Sequence, residues 1–225
     1  DAKWSDLKQE GYFLFISRKG IFIGAETEAG VRNANRTLAM IRKESGTCPE
    51  CAIMDYPSIS RRGIVVGLQW FNKLPELLLR ADKLKFNFIW HHGSFMDNKF
   101  SRNWREPFTP GELKKIRQNK TLCDQYGINV YMTFTPRGTP PVEYSSEKEI
   151  DLLVAKMKDL YAAGIRNLGI SFDDLCNIEQ DRLIHPDDIT RFHGNIGEAH
   201  RHFVGEVFRK LKKSCPEIEF SVLPM

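Results

Sequence analysis

No run of apolar residues in this chain approaches the roughly 20 needed to cross a bilayer as a helix, so a membrane-spanning reading has nothing to stand on. Excess charge of one sign is also missing. Lysines and arginines are interspersed with acids, the formal net charge is only +4, and no basic stripe or polybasic cluster marks a nucleic-acid or membrane surface. Neither a nucleic acid nor a membrane is therefore an expected partner. Cysteines number five, an odd count, and the close pair among them is Cys48-Pro-Glu-Cys51. A zinc half-site would need a second ligand pair at finger-like spacing, and a thioredoxin-like motif would open a helix rather than precede a strand. A loop disulfide or two free thiols is the expectation. A Gly-rich phosphate loop is lacking, and Gly169-Ile-Ser-Phe172 has no second glycine to make a serine nucleophile elbow. The chain opens on Asp1 with no signal peptide, which leaves room for a leader removed upstream. The compartment stays open, with a secreted or periplasmic location favoured.

What is present reads as an ordinary globular composition, 41% hydrophobic and 28% charged, in a chain of 225 residues that suits one or two domains. Gly11–Ile16 and Gly20–Gly24 read as short strands around a turn, Glu28–Arg42 as a helix with a partly apolar face, and Cys51–Met54 as a third strand. Residues 1–57 are thus expected to form a small α+β domain. From Gly63 the rhythm becomes strand–helix alternation. Strand-like runs fall at Gly63–Leu68, Phe86–Trp90, Ile128–Phe134, Leu168–Phe172 and Ile218–Leu223. Helical stretches fall at Leu74–Leu84, Pro110–Tyr126, Glu147–Ala163 and in one long helix from about Asp187 to Lys213, with Ser145 or Ser146 as the cap of the third. Repeated β-α units imply parallel strands joined by right-handed crossovers. The expected class is α/β: residues 58–225 as the N-terminal part of a (β/α)8 barrel, cut after about five strands, with an open sheet as the alternative.

In such a fold the chemistry sits at strand C-termini. There the sequence places Gly67-Leu-Gln-Trp70, His91-His92, Thr135-Pro-Arg137 and the adjacent acids Asp173-Asp174. Two carboxylates ending a buried strand repel one another and lose hydration, which drives their pKa values apart and supplies an acid beside an anion. The bland alternative is a loop in which one aspartate caps the next helix. Imidazoles, acids, tight glycines and tryptophans suit a sugar pocket, and Trp104, with Trp70 and Trp90, either lines that cleft or fills the helix–sheet layer. A metal held by His91, His92 and Asp97 is disfavoured, because adjacent side chains rarely point at one ion. No metal or cofactor is expected. His200 and His202, two apart on a helix, do not share a face and read as surface residues.

Together these segments resemble glycoside hydrolase family 84, the O-GlcNAcases and hyaluronidase-type β-N-acetylglucosaminidases. Glu10-Gly-Tyr-Phe-Leu14, Gly30 with Arg36-Thr-Leu38, Asp55-Tyr-Pro57 with Arg62-Gly-Ile-Val-Val-Gly67, Lys85-Phe-Asn87, Trp104-Arg-Glu106, Thr135-Pro136 and Phe172-Asp-Asp174 follow in the family's order. Family 20 hexosaminidases are similar at Asn87-Phe-Ile-Trp-His-His92. The resemblance implies substrate-assisted retention. Asp173 would orient the sugar's 2-acetamido group, Asp174 would be the general acid, and Gly67 matches a position whose backbone approaches the sugar; strand-end placement and the tryptophan cleft add Trp70, His91, His92 and Trp104 as candidate substrate-binding residues. The implied partner is a glycan or glycoconjugate containing N-acetylglucosamine. Two segments depart from the family pattern: Leu68-Gln-Trp70 stands where Phe-Tyr-Gly is usual, and His92-Gly-Ser-Phe95 where a Lys-Asp-Asp segment is. A non-catalytic glycan-binding protein and a metal-assisted hydrolase using Asp173, Asp174 and His92 are the rival expectations.

Overall fold

The structure, a computed structural model, describes residues 9–67, 72–93, 99–172 and 184–224. By their internal contacts two compact units form, one of Asp1–Gly63 with Leu78–Asn87 and one of Ile64–Leu77 with Phe88–Met225.

In the first unit, β1 (Tyr12–Ser17) runs antiparallel to β2 (Gly20–Ala25) and to β3 (Cys51–Asp55), giving the order β2-β1-β3. Alternation along β1 buries Tyr12, Leu14 and Ile16, which form a small core with Ala34 of the helix α1 (Glu28–Ser45). Thr27 caps the start of α1 and Gly46, at φ 67°, ends it in the left-handed conformation that glycine adopts without penalty. The helix lies so close to β1 that a Cβ on Gly30 would fall 2.3 Å from the Gly11 carbonyl oxygen. Cys48 and Cys51 are free thiols packed against this core. A polar cluster closes the unit. Lys85 donates to Asp55 (2.9 Å) and to the Tyr12 hydroxyl (3.1 Å), while Arg62 and Asn87 both donate to Glu10. Burial pushes the Asp55 carboxyl up, but its bonds from Lys85 and Tyr12 outweigh this and hold it below the usual carboxylate range.

The second sheet is parallel, in the order β4 (Gly63–Val66), β5 (Phe88–His91), β6 (Asn129–Phe134), β7 (Asn167–Ser171) and β8 (Glu219–Leu223). Spatial order equals chain order, as repeated right-handed β-α units require. The helices are α2 (Leu74–Lys83), α3 (Pro110–Gln125), α4 (Glu147–Ala162), α5 (Pro186–Arg191) and α6 (Ile196–Ser214). A capping box between Thr109 and Glu112 starts α3. Ser146 is the N-cap residue of α4 but makes no capping bond with its side chain.

The long helix expected from Asp187 to Lys213 is two helices. His193 and Gly194 both have positive φ (51° and 73°), which breaks the helical path, and Asn195 then caps α6 by accepting from the Glu198 amide. Along α6, Ala199, His200, Phe203, Val207 and Leu211 are buried, the three-and-four spacing of a core-facing stripe. His200 is thus a core residue at 8% exposure, which corrects its reading as a surface histidine.

Candidate active site

Alternation assigns the residues of the parallel strands to two faces. On the helix side stand Ile89 and His91 of β5, Val130, Met132 and Phe134 of β6, and Leu168, Ile170 and Phe172 on and just past β7, all nearly or wholly buried. On the other face stand Phe88, Trp90 and His92, then Tyr131 and Thr133, then Gly169 and Ser171. Here polar atoms meet each other. The Trp90 indole donates to Thr133 Oγ1 (3.1 Å), its ring meets His92 edge-on at 5.3 Å, and His92 Nε2 bonds Ser171 Oγ at 3.0 Å. The last bond spans from the end of β5 to the end of β7. The backbones approach closely around it: a Cβ on Gly93 would fall 2.6 Å from the Thr133 carbonyl oxygen, and one on Gly169 would fall 2.4 Å from Ser221 of β8.

The two adjacent histidines therefore part company. His92 joins the polar face. His91 turns to the helix side at 1% exposure, with its ring 4.5 Å from Phe100, and burial brings its pKa down to about 4. Trp104, also expected to meet substrate, is 0% exposed, with Arg105 over its ring at 4.8 Å. Both side chains are enclosed by protein. Gly67 follows β4 and is partly buried. Asp173, Asp174, Trp70 and Asp97 lie outside the described residues, so the acid pair follows directly in the chain on Phe172, the last described residue after β7.

The approach to the acid pair is firmly held. Phe172 stacks on His200 at 3.7 Å and 6° between planes, and Tyr144 meets both rings edge-on at 6.0 and 4.7 Å. Burial lowers the His200 pKa to about 4, so the imidazole is neutral at physiological pH and serves as a flat, uncharged packing surface. Asp188, fully buried on α5, accepts the backbone N–H groups of Tyr144 (2.6 Å) and Ser145 (2.9 Å) and fixes this wall. Neither Ser171, Asp188 nor His200 was singled out as a site residue from sequence. For His200 the signal was available in the spacing 200, 203, 207, 211.

Among the described residues, the ligand atoms of Glu143, His185 and Asp187 lie within 4.8 Å of one another and are the group with metal-ligand chemistry. His185 Nδ1 already accepts the Asp187 amide as the cap of α5, which accounts for its placement without an ion.

A parallel sheet in chain order, with helices against one face and a polar constellation toward the strand ends, defines a protein of the α/β class built from repeated β-α units. The model of the β-N-acetylglucosaminidase family matches residues 71–225, and the chain belongs to that family, glycoside hydrolase family 84. Its fold is similar to the solved structure of CpGH84B, with a TM-score of 0.72 at 19% identity over 100% of this chain and 37% of that one. It is also similar to a mutant O-GlcNAc hydrolase from Thermobaculum terrenum, with a TM-score of 0.59 at 22% identity over 73% of this chain and 35% of that one. The chain thus spans little more than a third of the length of these proteins.

Proposed function

We propose that the full-length protein is a retaining β-N-acetylglucosaminidase that uses its substrate's own acetamido group. The observation that carries this reading is the family match over residues 71–225, which contains Asp173-Asp174 and the sheet end that leads to them. The five parallel strands would be the first five of a (β/α)8 barrel, with residues 1–57 as a small α+β domain ahead of it. That reading is supported by the chain's full coverage by a fold neighbour of which it matches only 37%.

In the first step the acetamido carbonyl oxygen attacks the anomeric carbon. The glycosidic C–O bond breaks and the leaving oxygen takes the proton of the Asp174 carboxyl, while Asp173 accepts the acetamido N–H and balances the charge of the forming oxazoline. In the second step water attacks the same carbon. Asp174 takes its proton, the oxazoline opens, and the sugar leaves with its configuration retained. Gly67 and His92 would border the sugar, joined by Trp70. His92, bonded to Ser171 two residues before Asp173, connects the second strand of the sheet to the fourth.

The test is turnover of an aryl N-acetylglucosaminide beside the plain glucoside by the full-length protein. A strong preference for the former is expected, and equal rates would remove acetamido participation. Asp174→Ala should lower hydrolysis of unactivated glycosides about 10²–10⁴-fold while sparing substrates with good leaving groups. His92-Gly-Ser-Phe95, in place of the family's lysine-bearing segment, favours a second reading, a glycan-binding protein without catalysis. Binding of N-acetylglucosamine oligomers with no turnover would select it.

A further inference from the structure

Lys156 projects from α4 into the protein interior at 3% exposure, where its ammonium donates to three backbone carbonyls, those of Lys99, Trp104 and Glu106, each at 2.7 Å. The fit is stoichiometric: an ammonium has three N–H donors and no acceptor. The rings of Phe108 and Phe134 lie 4.6 and 5.6 Å from the nitrogen and add cation–π attraction. A buried cation is costly, and here burial, followed by the nearby Lys99 charge, brings its pKa down to about 7 against the opposing pull of Glu112, Glu106 and Asp159. A core that needed only volume at this point would hold a methionine or leucine.

All three carbonyls belong to one short segment, residues 99–106, between β5 and α3. The far side of that segment is fastened to the end of β6. The Phe100 carbonyl accepts the Thr135 amide at 2.7 Å, and Ser101 Oγ accepts Arg137 Nε at 2.7 Å in a buried bond. The same Phe100 carbonyl would be 2.9 Å from a Cβ on Gly93, the residue after His92. It sits as a wedge between the ends of β5 and β6. Lys156 thus holds one side of a segment whose other side sets the spacing of the strand ends that carry His92 and Thr135.

We propose that Lys156 is a positioning residue for the reaction: by gathering the carbonyls of residues 99–106 it presses Phe100 between the ends of β5 and β6 and fixes the sheet end where the sugar binds. This rests on the β-N-acetylglucosaminidase reading above. Lys156 acts on the carbonyls of this segment, so its effect on the reaction passes through the segment.

The experiment pairs hydrogen exchange with kinetics on full-length protein carrying Lys156→Met, which keeps an unbranched side chain, one atom shorter, and removes every donor. Exchange of the Thr135 amide and of residues 99–108 should rise at least about tenfold, with β1–β3 unchanged. For an aryl N-acetylglucosaminide, KM should rise about tenfold with kcat within about threefold, because binding geometry is disturbed and the acid pair is not. Lys148→Met, an exposed change on the same helix, should leave both readouts as in the wild type. Where the methionine variant does not fold, Lys156→Gln, which keeps two donors on a shorter arm, should move both readouts in the same direction by less. Unchanged exchange at Thr135 overturns the fastening, and raised exchange with unaltered KM overturns the positioning role. Absence of wild-type turnover would instead overturn the functional reading, and the exchange data would still decide whether Lys156 fastens the segment.

Discussion

On the helix side of the parallel sheet the side chains are apolar and nearly or wholly enclosed; burial keeps the imidazoles of His91 and His200 neutral, and three backbone carbonyls hold the Lys156 ammonium there. On the other side Trp90, His92, Thr133 and Ser171 bond one another across three strands. The chain supplies both faces from the same short segments by a period of two, so that His91 and His92, neighbours in sequence, enter opposite environments. The helix side gains its energy from packing and the polar side from hydrogen bonds whose net worth is small. Substitutions on the two faces should therefore differ in size and in pH dependence.

The largest difference should come from Phe172→Ala. Phe172 is 1% exposed and stacked on His200, so its removal leaves a cavity that the rigid Tyr144–Asp188 wall cannot fill. A loss of about 3–5 kcal/mol in urea unfolding is expected. A loss below about 1 kcal/mol would mean that this side is loosely packed and the contrast between faces unfounded.

Much of this architecture was legible in sequence, because hydrophobic period and turn chemistry are local. The eight strands among the described residues fall within two residues of where alternation and apolar runs put them, and α3 ends one residue short of the expected Pro110–Tyr126. The break between α5 and α6 was missed although Gly194-Asn195, with Glu198 three residues on, is a turn followed by a capping pattern. A continuous polar-apolar periodicity on either side outweighed it. The inward turn of His91, Trp104 and Lys156 could not be read locally, since it depends on which strand face the helices cover. For the candidate site the sequence put His92 at the right strand end, but its partner Ser171 is 79 residues away, a separation no local pattern encodes. The roles of Asp173, Asp174 and Trp70 rest on resemblance alone.

An intermediate effect, visible only in acid, is expected for His200. Its folded pKa of about 4 lies below the ordinary 6.5, so between those values the unfolded chain binds the proton and the folded one does not. Stability from this group is therefore complete above pH 6.5 and is lost as pH falls through about 4, by roughly 3 kcal/mol in all. His200→Phe keeps the stack on Phe172 and removes the titration. Urea midpoints for variant and wild type should lie close together at pH 7 and diverge at pH 4.5, with the variant the more stable. His91 titrates in the same window and leaves a residual slope in both proteins. Identical slopes would show that His200 finds a proton-binding partner, and its imidazole would no longer count among the groups that burial keeps uncharged.

The smallest effect should be Trp90→Phe on the polar face. The substitution keeps an aromatic ring beside His92 and deletes one donor, the indole N–H that Thr133 Oγ1 accepts at 3.1 Å. The Thr133 hydroxyl still has the His91 carbonyl at 3.5 Å as its own acceptor, so it is left with one lone pair unused rather than stranded. A net loss of about 1 kcal/mol or less is expected, with no dependence on pH between 5 and 8. A cost approaching that of Phe172→Ala would mean that the indole is packed as tightly as the helix-side rings. The two faces would then differ only in the chemistry of their side chains and not in how closely they are packed.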